Sequence, residues 1–497
     1  MQNGTRLAAV DLGSNSFRLE IGHLDHGQIQ RTEYLKETVR QGNGLDENRN
    51  LSRQAMQRGW DCLARFGERL AGFRKYQVRA VATQTLREAR NRDEFLTRAT
   101  EILGFPIDVI SGHEEARLIY QGVSHLLPQS NERRLVVDIG GRSTELILGH
   151  AYEARAMESF RVGSVAWSMR YFPDGIFTTQ AFETAEVAAK AVLDEALNTF
   201  RPDAWEVAYG SSGTVGAVSD ILEAGWPEGL VTRDGLDWLL ERLLKAQSAD
   251  KVRLEGLKED RRAVIGGGVS VLRAVFDLLS IQEMQVAQGA LRHGALYDLL
   301  DREQEQTDQR HASVNRLASK FSVDLTQAQR VSKAARHLFR QIAGEFQASE
   351  MDRHLRKLGW AAQLHEIGSV ISHSDYHKHG AYILDNTDAA GFTMPELHRL
   401  SLLVLGHRGK LRKLEVDFED DVFVRQLLAL RLAVLLCHAR RDPDLQGLTL
   451  QVNAPHSLAL SCRTDWRTSY PQSAHLLHEE LLAWQKTPWT LAFTGRD

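Results

Sequence analysis

Val10–His23 reads VDLGSNSFRLEIGH and Val137–His150 reads VDIGGRSTELILGH. Aligned without gaps, the stretches share an Asp (Asp11, Asp138), a Gly two residues on (Gly13, Gly140) and a Ser (Ser16, Ser143). They also share a Leu (Leu19, Leu146) and a closing Gly-His (Gly22-His23, Gly149-His150). Each copy is an apolar run, a small-residue turn and a second alternating run, which predicts strand, tight turn, strand. One Asp-x-Gly turn carries little, because unrelated hairpins use it. Two matched copies, each opening a βαβ-rich segment, predict a duplicated domain that binds nucleotide or phosphate. In both, an Asp ends the strand and the turn leaves backbone N–H groups free. Such a turn takes phosphate oxygens through its N–H groups and Mg²⁺ through the carboxylates.

The surrounding sequence supports an α/β architecture. Helical periodicity over Ser52–Leu70 leads to a β run at Val78–Ala82, and a helix over Asp93–Leu103 leads to a strand at Pro106–Ile110. In the second half Thr184–Phe200 reads as helix, Glu206–Tyr209 as strand and YGSSGT (Tyr209–Thr214) as a small-residue loop. IGGGVSVL (Ile265–Leu272) reads as a glycine-rich loop opening a helix. Gly-rich entries to helices are anion sites. Near the end, Leu448–Ser461 alternates like a hairpin and Ala474–Gln485 is amphipathic, predicting a small α/β module.

Glu115 stands out in ISGHEEARLIYQGVSHLL (Ile110–Leu127). Ser111 and Glu114 have capping-box spacing, which assigns Glu114 to the Ser111 backbone N–H. Glu115 points about 100° further round the helix, above Leu118, Ile119, Gly122 and Val123 on the inward stripe. A half-buried carboxylate beside a phosphate cleft keeps enough basicity to accept a proton from water. The alternative is a solvated carboxylate, or one paired with Arg87 or Arg117.

A chain of 497 residues calls for several domains. With 43% hydrophobic and 25% charged residues, its composition is that of a globular protein. The net charge of −4 argues against a protein coated around a polyanion, yet permits a locally basic cleft. No run reaches the roughly 18–20 apolar residues of a membrane span. The start, MQNGTRLAAVDLG, shows no basic n-region and no long apolar h-region, so no secretion signal is read. Cys62, Cys437 and Cys462 suggest neither a disulfide framework nor a zinc site, and a reducing cytoplasm fits.

VDLGSNSF (Val10–Phe17), ATQTLREARN (Ala82–Asn91), ISGHEEARLIYQG (Ile110–Gly122), VVDIGGRSTEL (Val136–Leu146) and YGSSGT together resemble the exopolyphosphatase and guanosine-pentaphosphate phosphohydrolase family. The likeness continues into LHEIGSVISHSDYHKHGAYIL (Leu364–Leu384) and so spans nearly the whole chain. It implies α/β, duplicated actin-like (ribonuclease H-like) domains at 1–125 and 126–304. An all-α HD-like domain would follow at 309–442 and a small C-terminal α/β module at 443–497. Carried over by position, Glu115 is the catalytic base and Asp138 the second catalytic carboxylate, with Asp11, Asp138 and Glu145 around Mg²⁺. Gly13, Ser14, Asn15, Gly140, Gly141, Ser143, Thr144, Arg87, Ser212, Gly213 and Thr214 would cradle phosphate. Arg142 departs from the family's GGGSTE; its side chain disfavours a left-handed backbone, though its charge could reach phosphate directly.

The HD-like region has His365-Glu366 where an active metal site wants His-Asp. His373, His377, His379 and His407 are therefore read as structural or polyanion-contacting. HRGKLRK (His407–Lys413) is either a solvated basic loop or, with Arg161, the wall of a polyanion channel through Arg408, Lys410, Arg412 and Lys413. The resemblance points first to an exopolyphosphatase acting on inorganic polyphosphate. A guanosine-pentaphosphate (pppGpp) phosphohydrolase is the alternative, and an actin-like ATP-binding kinase or scaffold the third reading. The expected protein is a cytoplasmic homodimer with no nucleic-acid partner and no membrane insertion, compatible with peripheral association at the inner membrane.

Overall fold

Both copies of the repeat fold as the antiparallel corner of a sheet, in a computed structural model that describes residues 1–128, 130–227, 230–302 and 307–495. The first copy supplies β1 (Arg6–Leu12) and β2 (Phe17–Asp25), continued by β3 (Gln28–Glu37). With β4 (Val78–Ala82) and β5 (Ile107–Val109) they make a five-stranded sheet of order β3-β2-β1-β4-β5. The second supplies β6 (Arg133–Ile139) and β7 (Thr144–His150), continued by β8 (Glu153–Phe160). These join β9 (Val207–Ser211), β10 (Val231–Thr232) and β11 (Glu283–Val286) in the order β10-β11-β9-β6-β7-β8. Each sheet therefore carries an antiparallel β-meander beside parallel strands.

The shared closing glycine has a structural cause. The ladder slips by one residue between Ile21 and Gly22 in the first copy and between Leu148 and Gly149 in the second, so both are β-bulges. At Gly149 a Cβ would come within 2.0 Å of the Tyr120 ring.

Residues 1–308 form one compact unit. Helix Gly112–Leu126, which carries Glu115, crosses helix Leu291–Asp301 at backbone contact. A Cβ on Gly294 would meet Leu118 O at 1.8 Å, and one on Gly122 would meet Ala290 O at 2.2 Å. The contact is sealed by charge. The Glu114 carboxylate is fully buried and takes two 2.8 Å hydrogen bonds from Arg117, whose Nη2 also reaches Asp298 at 2.5 Å. Asp298 in turn accepts from Arg302 at 2.6 Å and pairs with Arg79 at 3.2 Å. Glu114 is thus not the capping partner that its spacing predicts. Ser111 Oγ accepts from the Glu114 N–H, but the carboxylate is drawn to Arg117 one turn along its own helix and, at 3.7 Å, to Arg79 from β4.

Three other expectations change. YGSSGT is no loop: β9 runs to Ser211 and helix Ser212–Gly225 starts at the next residue. The triple glycine Gly266–Gly268 lies inside helix Ile265–Leu279. Glycine is needed there for packing, since added Cβ atoms would meet Phe177 at 2.7 Å, Ser164 O at 2.5 Å and Thr214 at 2.8 Å. The helix expected over Thr184–Phe200 runs from Thr179 to Leu193 and continues as a 3₁₀ turn.

Residues 309–497 form a second compact unit. Its helices share one apolar cluster with the sheet β12 (Leu448–Ala454), β13 (Ser457–Cys462) and β14 (Thr490–Gly495). The boundary expected at residue 304 lies outside the described residues. No described helix is long and apolar enough to cross a membrane.

Candidate active site

The two small-residue turns face each other across a cleft of about 270 Å³ in the first unit. A Cβ on Gly141 would come within 3.0 Å of the Ser14 Cβ, so glycine here lets the turns approach. Gly13, Ser14, Asn15, Gly140, Gly141 and Ser143 all line the cleft, with Ser212, Gly213 and Thr214 from the start of helix Ser212–Gly225. That helix N-terminus directs its positive dipole end at the site, while the Thr214 and Val215 N–H groups donate to Ser212 Oγ. Ser212 sits there with φ 93°, a backbone that costs a non-glycine residue strain. Asn15 Nδ2 and Ser16 Oγ are buried without partners. Orphaned polar atoms in a polar cleft fit a hydrogen-bonding ligand such as phosphate.

Three carboxylates line the cleft: Asp11, Glu115 and Asp138. Asp11 and Asp138 close the matched strands β1 and β6, whereas Glu115 comes from the first turn of its helix. Burial pushes the Glu115 carboxyl up to about 7; Arg87 pulls against this and the charges of Asp11 and Asp138 add to it. Burial likewise raises Asp138 to about 6. Glu145 lies outside the lining, fully buried on β7 opposite Asp138, and burial with the Glu115 charge holds its carboxyl well above the usual range. Its Oε1 accepts from Ser159 Oγ, while Oε2 has no partner.

A cationic end adjoins these carboxylates through Arg18. Arg18 bonds Asp11 at 3.0 Å, Lys36 bonds Asp260 at 2.7 Å and Arg292 bonds Glu20 at 2.5 Å. Arg261, only 8% exposed, lines the cleft without an ion pair or hydrogen bond from its side chain among the described residues. Burial and the nearby Arg18 charge lower its affinity for a proton. Tyr34 adds an aromatic face, with the Arg292 guanidinium 4.9 Å from its ring centre. None of these was expected. Arg18 was within reach, since the gapless alignment sets it against Glu145, and both face their Asp across the hairpin.

Several expected residues do other work. Arg87 does not line the cleft; it bonds Glu115 at 3.1 Å and Ile110 O at 2.6 Å, so it orients the carboxylate. Arg142 turns away from the cleft to Glu88, 3.0 Å away, and its backbone is not left-handed, so it neither strains the turn nor reaches phosphate. Thr144 is spent on Val162 O. Arg161 is exposed and outside the lining. In the second unit Arg408 lies over the Tyr376 ring at 4.7 Å, while Lys410, Arg412 and Lys413 are exposed. His365 and His407 point Nδ1 at the carbonyls of Ala362 and Val404, and His377 packs beside His407. His373 packs by Tyr376, and His379 follows on helix Tyr376–Asp385.

A profile of the Ppx/GppA phosphatase family matches residues 21–303, and one of Ppx/GppA phosphatase domain III matches residues 309–485. The guanosine-5′-triphosphate,3′-diphosphate pyrophosphatase of Vibrio atlanticus is 40% identical over 95% of this chain and 95% of its own. The chain belongs to the Ppx/GppA phosphatase family. It is a hydrolase of that family, with the duplicated actin-like α/β fold followed by a largely helical region. The Vibrio campbellii pyrophosphatase of the same description is 38% identical over 98% of this chain and 97% of its own. A crystal structure of a Cytophaga hutchinsonii exopolyphosphatase superposes with a TM-score of 0.52 at 24% identity. It covers 60% of this chain and 98% of that one, and it speaks for the fold alone. Both Vibrio relatives bear the name of the alternative reading, the guanosine-pentaphosphate hydrolase, and not that of an exopolyphosphatase.

The Gly213–Arg261 contact gives a test of the cationic end. A Cβ on Gly213 would lie 1.9 Å from Arg261 Nη2, so Gly213→Ala must displace the guanidinium. Substrate KM is expected to rise on the order of tenfold, as for one lost charge-assisted bond. Arg261→Ala should raise it similarly, and the double variant no further. Additive losses, measured from steady-state kinetics, would break the assignment.

Proposed function

We propose that the protein hydrolyses the 5′-terminal phosphate of guanosine pentaphosphate in the cytoplasm. The observation that carries this reading is a cleft lined by adjoining carboxylates and cations, in a chain 40% identical to a pppGpp pyrophosphatase over nearly its whole length. The terminal phosphate fits the carboxylate end, between the two turns. The remaining phosphates fit Arg18, Lys36 and Arg261, and Tyr34 offers the guanine a face to stack on.

Among the described residues no three acidic, histidine or cysteine side chains converge as a ready-made metal cage. Asp11 Oδ1 and Glu145 Oε2 are nonetheless buried acceptors without partners. A hard cation such as Mg²⁺ suits that donor set, because it is usually held by one or two carboxylates plus substrate phosphates. Asp11 and Asp138 would hold it, with Glu145 behind them, and it would neutralise charge on the transferring phosphoryl group. Glu115 orients water and accepts its proton, Arg87 fixes the carboxylate, and backbone N–H groups of the turns and the helix start align the phosphoryl group. Positioning and charge neutralisation provide most of the acceleration for so loose a transition state.

The test is phosphate release from pppGpp, from short and long polyphosphate and from ATP. We expect pppGpp to give the highest kcat/KM, EDTA to abolish release and Mg²⁺ to restore it. Higher kcat/KM on any polyphosphate length would return the exopolyphosphatase reading.

A further inference from the structure

In the second unit a groove of about 530 Å³ runs beside helix Leu325–Ile342, between helices Gln309–Lys320 and Ala348–Leu364. Lys333, Arg336 and Arg340 line it, and no acidic side chain does. At i, i+3 and i+7 these residues form one stripe, where like charges repel unless something opposes them. None of the three has an ion-pair partner among the described residues, although nearby Arg330 pairs with Asp442 and Arg310 with Glu396. Arg336 Nε and His311 Nδ1 are moreover buried without a hydrogen-bond partner. Arg336 lies across Gly359, where a Cβ would come within 2.6 Å of Nη2, so a glycine makes room for this guanidinium. Gln363, bonded to Asn315 at 2.8 Å, adds neutral polar groups to the wall.

Buried polar atoms without partners usually mark a missing ligand or ion, and guanidinium forks match phosphate oxygens. We propose that this groove is a second phosphate site, taking an anion with two or three linked phosphate groups. From Lys333 to Arg340 the helix rises about 10 Å, longer than one phosphate and suited to a short chain of them. The inference does not depend on the reading of the cleft, whose residues all lie within the first unit.

Hydrogen exchange on the full-length protein in EDTA tests it, with inorganic tripolyphosphate, GTP or orthophosphate as the probe. Tripolyphosphate is expected to slow exchange in Leu325–Ile342 and at Gly359–Gln363, and K333A/R336A/R340A to remove that protection while protection of the cleft turns persists. GTP alone acting there would assign the groove to nucleotides; both acting would assign it to the phosphate chain itself. Should the triple variant misfold, K333A/R340A, both exposed, should weaken binding at the groove on the order of tenfold by calorimetry. Absent protection of these segments, or protection unchanged in the charge variants, would overturn the proposal.

Discussion

Glu115→Gln is expected to cut turnover by roughly 10²–10⁴-fold, the usual cost of losing a positioned general base. KM should change little, because the turns and the cationic end remain. The carboxyl titrates near 7 in the folded protein, so wild-type kcat/KM should rise through about that pH, and this limb should vanish in the variant. Stability should move the other way. An acid whose folded pKa is raised stabilises the fold while protonated, and that contribution is lost as pH climbs from the unfolded value through about 7. At pH 8 without metal, the glutamine variant should therefore be more stable than wild type, by on the order of 1–3 kcal/mol. Denaturant titrations beside phosphate-release assays check both halves. A variant both inactive and less stable would make Glu115 a structural residue.

Glu114→Gln, one residue away, should do the opposite. Glu114 is fully buried and chelates Arg117, so its loss leaves cations short of a partner in the contact between two helices. Removing one member of a buried ion cluster costs roughly 3–5 kcal/mol, well beyond the approximately 1 kcal/mol of a capping residue. Activity per folded molecule should fall far less than in Glu115→Gln, by less than about tenfold. Urea midpoints of the single variants Glu114→Gln and Asp298→Asn and of their double show whether the cluster acts as a unit. Strictly additive costs would mean that it does not.

Local chemistry carried much of this in the sequence. The repeat announced two hairpins with an Asp at each strand end because the small-residue turn and the two-residue period are local signals, and both turns line the cleft. Glu115 lines the cleft and Glu114 does not, but an inward stripe could not separate them, because every residue from Glu114 to Ser124 is buried. What neighbouring residues could not reveal is which partner a charged side chain meets. Arg142 looked locally suited to phosphate and is claimed by Glu88 from a distant segment. Arg87 is claimed by Glu115, a pairing the residues left open as an alternative. Glu114 looked suited to a cap and is claimed by Arg117 on its own helix, tied in turn to the distant Asp298. The cleft's cationic end was hidden for the same reason, since Arg18, Lys36, Arg261 and Arg292 are gathered from points up to 274 positions apart. Backbone pattern is short-range and written in the residue order. Charge pairing inside a folded protein is long-range and strengthened by burial, so only the tertiary structure decides it.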